Sequence, residues 1–110
     1  MRRFVLFHKP VSVDAEIALV ELLDSNAIGW GKWFEGTWML VTYSPEHDKD
    51  SLYKLITKVV GGVHLVLLEF HENPSLQMFV PDAAEDGEGM IKWMQQVWTP
   101  ESSMTRTRIE

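Results

Sequence analysis

The segment "VHLVLLEFH", Val63 to His71, gathers side chains that ligate metals: His64, Glu69 and His71. Imidazole and carboxylate groups hold zinc and several other transition metals. Glu69 and His71 stand two apart and share one face of an extended strand. His64 and His71 differ by an odd number and fall on opposite faces. One regular strand therefore cannot assemble a three-ligand site from them, and no metal or cofactor is expected. His8, in "FVLFHKP", ends a short apolar run. An imidazole that titrates near neutrality makes it the one candidate catalytic residue. A strand end beside Lys9 and Pro10 equally suits a plain loop residue.

Asp82, Glu85, Asp86 and Glu88 form a carboxylate cluster in "DAAEDGEG". Carboxylates in number can bind Ca²⁺ or exchange protons. These lack the ligand spacing of a calcium loop and read as a solvated linker. Asp48 and Asp50 precede a helical pattern and read as caps. "GWG" lacks the glycine-rich fingerprint of a phosphate-binding turn. Arg2, Arg3, Arg106 and Arg108 would form an anion patch only if the two termini met. The chain has no cysteine, which excludes disulfides, thiol nucleophiles and thiolate metal sites.

Trp30, Trp33 and Trp38 crowd into "IGWGKWFEGTWMLVTYS", Ile28 to Ser44. Aromatic side chains on a sheet can stack nucleic-acid bases, but such platforms are ringed by cations. Lys32 is the only cation in this stretch. The tryptophans therefore read as core or as an interaction layer.

These residues need elements to hold them. "RRFVLF" is a strand ended by Pro10. "SVDAEIALVELLDSN" is a helix: Ser12 suits the N-cap, and Ala15, Ala18, Leu19, Leu22 and Leu23 make one apolar stripe. Ile28–Phe34 and Thr37–Tyr43 form a hairpin about Glu35-Gly36, with Gly36 supplying the positive φ of a tight turn. Alternation puts Trp30, Lys32 and Phe34 on one face, and Gly29, Gly31 and Trp33 on the other. In the next helix Leu52, Leu55, Ile56, Val59 and Val60 repeat the stripe, and Gly61-Gly62 stops it. "VHLVLLEF" is a fourth strand and "LQMFV" a short fifth. Met90, Trp93, Met94, Val97 and Trp98 line a third helix ended by Pro100. The tail, residues 101–110, shows no periodicity and is expected to be mobile.

The order β-α-β-β-α-β, with an appended strand and short helix, predicts an α+β protein of the ferredoxin-like class. One domain over residues 1–100 suits a chain of 110 residues that is 45% hydrophobic. The "MRRFVLFHKP" start has the basic flank of a signal peptide, but its apolar run, Phe4 to Phe7, is too short for one. No apolar run would span a bilayer. A net charge of −6 counts against a protein that wraps nucleic acid. A cytoplasmic location fits these features.

In that architecture both main helices cover one sheet face. Phe4, Val5, Leu6 and Phe7 are apolar on both faces, as are Trp38, Met39, Leu40 and Val41. Val66, Leu68 and Phe70 oppose Val63, Leu65 and Leu67. So large an apolar face requires a cover. The cover is expected to be a second copy of the chain, the third helix, or both, with Trp30, Trp33, Trp38, Met90, Trp93, Met94, Val97 and Trp98 as its contact residues.

The block "GKWFEGTWMLVTYSPEHDKDSLYKLITKVVGGVHLVLLEF", with "MFVPDAAEDGEGMIKWMQ" after it, resembles the small ferredoxin-like CRISPR-associated proteins. These are the smaller subunit of the spacer-adaptation complex and its SinR-like and virulence-associated protein D relatives. The resemblance implies a dimer formed through the sheets, an origin in a phage or mobile element, and contact with nucleic acid. In many relatives the first strand ends in an Asp that binds a divalent metal across the dimer. Here "FVLFHKP" offers Phe7, His8 and Lys9 at that place and no carboxylate. The fold and the dimer carry over; metal-dependent cleavage does not. The leading expectation is a non-enzymatic homodimeric binding module that can also take a protein partner. A degenerate nuclease with His8 near its site, and a small-molecule sensor with a cleft at the dimer seam, are the alternatives.

Overall fold

A computed structural model of the chain describes residues 1–71, 76–79, 87–98 and 104–107. The chain divides into two compact units, Met1–Glu69 and Phe70–Glu110.

The first unit is α+β. Its elements run β1 (Arg2–His8), α1 (Val13–Ser25), β2 (Gly29–Phe34), β3 (Thr37–Thr42), α2 (Lys49–Val60) and β4 (Leu65–Phe70, whose last residue begins the second unit). The strands form one four-stranded sheet in the order β2-β3-β1-β4, and β3 pairs antiparallel with both of its neighbours.

Apolar parity determines which face the helices cover. Phe4 and Leu6 on β1, and Trp38 and Leu40 on β3, form one buried cluster with Leu19 and Leu23 of α1 and Leu52, Ile56 and Val60 of α2. Leu65 and Leu67 of β4 pack against it. Helices α1 and α2 contact one another. Each helical stripe thus buries its central leucines and isoleucine, and the two helices share one sheet face.

Local chemistry fixes the helix ends. The Ser12 side chain accepts from the Ala15 N–H at 3.1 Å and the Asp48 side chain from the Ser51 N–H at 2.8 Å. Each satisfies a donor that a helix start leaves orphaned. At the other end of α1 the Ile28 N–H donates to the Leu23 carbonyl and the Ala27 N–H to that of Asp24. This is a Schellman closure, whose left-handed residue is normally glycine. Here it is Ala27, at φ 55°. Leu23 and Ile28 are both buried and supply its apolar contact.

The hairpin turns at Glu35-Gly36, and Gly36 takes φ 70°. A Cβ there would lie 2.5 Å from the His8 carbonyl oxygen. The His8 N–H in turn donates to the Gly36 carbonyl at 2.8 Å. The turn is therefore glycine both for its conformation and for its approach to β1.

Strand β2 departs from regular alternation. Gly29, Trp30 and Gly31 face Val41, Leu40 and Met39 in register, but Phe34 faces Thr37. One extra residue is accommodated between Gly31 and Phe34, a β-bulge. The expectation that Phe34 shares a face with Trp30 is corrected by it. Phe34 takes the parity of Thr37, Met39 and Val41, on the face away from the helices.

In the second unit, β5 (Leu76–Phe79) pairs in parallel with β6 (Met104–Thr107). The tail expected to carry no element thus supplies a strand. Helix α3 (Gly87–Trp93) runs into a π-helical turn, Met94–Trp98, in place of one uninterrupted helix. Met94 and Trp98 are buried. The Trp98 ring meets Phe70 edge-on at 5.6 Å. No described helix is long and apolar enough to cross a membrane.

Two stability predictions follow from these ends and turns. A left-handed conformation costs a non-glycine residue about 1–2 kcal/mol, and glycine returns about 0.5–1 kcal/mol of that as unfolded-state entropy. Ala27→Gly should therefore raise unfolding free energy by up to about 1 kcal/mol, while Gly36→Ala should lower it by more than about 1 kcal/mol. Urea titration of both variants checks the opposite signs. The Ser51 backbone N–H, with the Ser51 hydroxyl adding, holds the Asp48 carboxyl below its ordinary pKa of 3.8. A folded-state pKa that is depressed gives stability present above the unfolded value and lost as pH falls through the folded one. Acidification below about pH 4 should thus weaken the parent more than Asp48→Asn, read as the difference in unfolding midpoint across pH 2–5.

Candidate functional site

The polar groups around Trp38 form a connected side-chain network in the first unit. Trp38 sits at the middle of the sheet with no exposed surface. Its indole N–H donates to His8 Nε2 at 2.9 Å. His8 Nδ1 lies 2.8 Å from the Lys9 carbonyl oxygen. An indole nitrogen only donates and a carbonyl only accepts, so the two contacts fix the tautomer. Nδ1 carries the proton and Nε2 accepts. Both nitrogens of His8 are committed to the fold, and neither is left for a metal or a substrate proton.

Trp30 lies against Trp38 with ring centroids 5.4 Å apart, and its own N–H donates to Asp24 of α1 at 2.9 Å. The Lys32 ammonium stands 5.5 Å above the Trp38 ring. It pairs with Glu16 of α1 and, at 3.5 Å, with Glu35 of the turn. Burial works against its charge, but the hydrogen bond and charge of Glu16, reinforced by Glu35, keep its pKa above the ordinary lysine value. The only cation of the tryptophan-rich stretch is thus occupied in tying α1 to the hairpin.

The tryptophans divide accordingly. Trp38 is core and Trp30 packs against the core from the same side. Trp33 stands in the bulge, half-buried. Trp38 offers no surface to a partner, which corrects its place among the contact residues. Met94 and Trp98 are likewise buried within the single chain, whereas Met90, Trp93 and Val97 are half-buried.

On β4 the alternation expected for an extended strand holds. Leu65, Leu67 and Glu69 are half-buried; His64, Val66, Leu68 and Phe70 are exposed. His64 and Glu69 therefore point to opposite faces, and His71 is exposed beyond the strand. No group of three potential ligands converges among the described residues. Asp82, Glu85, Asp86 and Arg108 lie outside the described residues. Glu88 and Arg106 fall on α3 and β6. Arg2 and Arg3 open β1, and Arg3 is only 5% exposed. His47, which sequence reasoning passed over, is buried against the Thr42 hydroxyl at 3.1 Å. Nothing in its sequence setting, "SPEHDKD", marks it.

Two outward-facing features of the first unit involve both β1 and β4. One is the sheet face opposite the helices. Phe7 and Phe34 both stand opposite Thr37, one from each neighbouring strand, and are 42% and 58% exposed. Val66 and Leu68 are 53% and 47% exposed on edge strand β4. Arg3, Val5 and Val41, of the same parity, are buried. The other feature is a pair of open clefts at the start of β4. The smaller, about 290 Å³, is lined by Phe7, His8, Lys9, His64, Leu65 and Val66. The larger, about 610 Å³, includes Tyr53 and Thr57 of α2 and meets the first at His64 and Leu65.

Neither a protein-family model nor a curated protein matches the chain. Among solved structures it is similar to the formyltetrahydrofolate deformylase of Pseudomonas putida KT2440, at TM-score 0.43 and 8% identity over 98% of this chain and 42% of that one. It is also similar to the formyltetrahydrofolate deformylase of Burkholderia mallei ATCC 23344, at TM-score 0.45 and 9% identity over 97% and 42%. The chain spans less than half the length of either protein. Likeness at this level says nothing of substrate or reaction.

The indole–imidazole contact has a measurable worth. Leaving a buried donor unsatisfied costs about 1–3 kcal/mol. His8→Phe should lower the unfolding free energy by that amount. Long-range ¹⁵N–¹H spectra of the parent should show one His8 ring nitrogen protonated, Nδ1, at neutral pH. A proton on Nε2 would remove the structural role assigned to this residue.

Proposed function

We propose that the chain is a non-enzymatic interaction module of the ferredoxin-like class that works as a homodimer in the cytoplasm. The order β4-β1-β3-β2, with α1 and α2 as the two crossovers, supports that class. The observation that carries the function is the apolar row Phe34, Phe7, Val66 and Leu68, solvent-exposed on the face away from the helices. Large side chains in such a group lose free energy to water unless a partner covers them.

A second copy is the occupant that the row suits. It has no charge that would ask for a complementary partner. It also reaches strand β4, which pairs with β1 on one side and with no described strand on the other. An edge of that kind, "LVLLEF", has neither proline nor lysine to discourage pairing. Two copies related by a two-fold axis would bury the same row on each. The likeness to the small CRISPR-associated adaptation subunit and its relatives, and the phage or mobile-element origin that it implies, belong to this proposal for fold and dimer alone. For a nuclease, the hydrogen bonds at both nitrogens of His8 count against the one residue on which that reading leaned. Acidic net charge also disfavours nucleic acid as the partner.

Light scattering tests the reading. The parent should have a mass near twice 12.7 kDa. Val66→Asp or Phe34→Glu should shift the equilibrium to the single chain, weakening association by roughly thirtyfold or more, because an unpaired charge would be buried at the contact. Both positions are more than half exposed, so the variants should keep the parent's circular dichroism. A parent of single-chain mass at high concentration would end the proposal.

A further inference from the structure

We propose that the cleft between the end of β1 and the start of β4 is a binding site for a small organic anion, a carboxylate with a compact apolar body. The head group would lie between Lys9 and His64, and the body against Phe7 and Val66.

Geometry places these groups together. The Lys9 N–H donates to the His64 carbonyl at 3.0 Å, which holds the two residues side by side across the β1–β4 junction. Lys9 has the parity of Phe7, and His64 that of Val66. Cation and imidazole therefore leave the chain beside the two apolar side chains, and all four line the cleft. Its volume, about 290 Å³, is at the lower end of what ligand sites occupy.

The charge pattern selects the ligand. The chain carries 16 Asp and Glu residues against 10 Lys and Arg, yet among the described residues neither this cleft nor its larger neighbour is lined by a carboxylate. Lys9 is exposed, and no described acidic side chain pairs with it. A lysine ammonium brings three donors and no acceptor. His8 presents only its ring to the cleft, since its nitrogens are held by Trp38 and by the Lys9 carbonyl. The polar complement of the cleft is thus an ammonium and an imidazole over an apolar floor, which fits one anionic head on an apolar body. The exposed carboxylates elsewhere discourage such a ligand from settling at random.

The site also has a reporter. His8 lines the cleft and accepts the indole proton of Trp38, so a ligand against its ring perturbs that buried N–H.

The test is an NMR titration with benzoate, with benzyl alcohol as the uncharged control. Benzoate should shift the backbone N–H of Lys9 and Val66 and the Trp38 indole N–H along one saturating curve. Benzyl alcohol should bind at least about tenfold more weakly, and Lys9→Gln should weaken benzoate by a similar factor, as loss of a charge-assisted hydrogen bond implies. His64→Gln should weaken it further. Both residues are exposed, and their replacement leaves the core untouched. Phe7 and Val66 also belong to the row proposed for self-association, so the titration is repeated on Leu68→Asp, where the row is free and benzoate should bind at least as tightly as to the parent. Absence of saturation, equal response to the alcohol, indifference to Lys9→Gln and His64→Gln, or loss of binding in Leu68→Asp would each overturn the assignment.

Discussion

A buried indole has to satisfy its N–H inside the protein, and Trp38 is wholly buried. Much of the first unit follows from how that demand is met. The partner is His8, on the same face of the neighbouring strand and two residues beyond Leu6, which stands opposite Trp38. To accept at Nε2 the imidazole must keep its proton on Nδ1, and that proton goes to the Lys9 carbonyl. The end of β1 is thereby fixed. The His8 N–H then draws in the Gly36 carbonyl, so the hairpin turn closes over the strand end at a distance only glycine permits. Lys32 over the indole reaches Glu16 and ties α1 to the same point. A strand, a turn and a helix are all positioned by one side chain's need for an acceptor.

The same demand explains how the chemistry-bearing residue types around Trp38 are engaged with one another. A histidine at a strand end, a cation beside tryptophans and a carboxylate on a facing helix look like parts of a catalytic or stacking site when read in sequence. In the fold each is used up by another: His8 by Trp38, Trp30 by Asp24, Lys32 by Glu16. Mutual satisfaction of this kind makes a polar layer rigid.

Periodicity and caps were readable along the chain. Leu19 and Leu23, and Leu52, Ile56 and Val60, announce their helices by spacing, and these residues are the ones that bury. Ser12 and Asp48 announce the starts, and Glu35-Gly36 announces the turn. What escaped was set by contacts distant in sequence or by a residue of an unexpected type. Ala27 closes α1 where glycine normally would, so composition hid the motif. The pairing of His8 with Trp38 spans thirty positions, and no local pattern encodes it. The parallel pairing of β5 with β6 joins two short segments far apart in the chain, and neither has the periodicity of a strong strand.

The bulge in β2 had the largest consequence of the features that sequence left hidden. Under strict alternation Phe34 would point with Trp30 and Lys32 toward α1, into a layer already filled by the salt bridge to Glu16. The extra residue separates these two roles. Lys32 stays on the helix side, where its ammonium reaches α1. Phe34 passes to the other face, opposite Thr37 and in line with Phe7. A register shift of one position thus completes the polar layer on one side of the sheet and extends an apolar row on the other. The two faces are in this sense one design: the residue that β2 inserts lets the helix side be electrostatically closed and adds an exposed aromatic side chain to the other. The functional reading accordingly rests on the sheet's outer face rather than on the tryptophan-rich stretch that first draws notice.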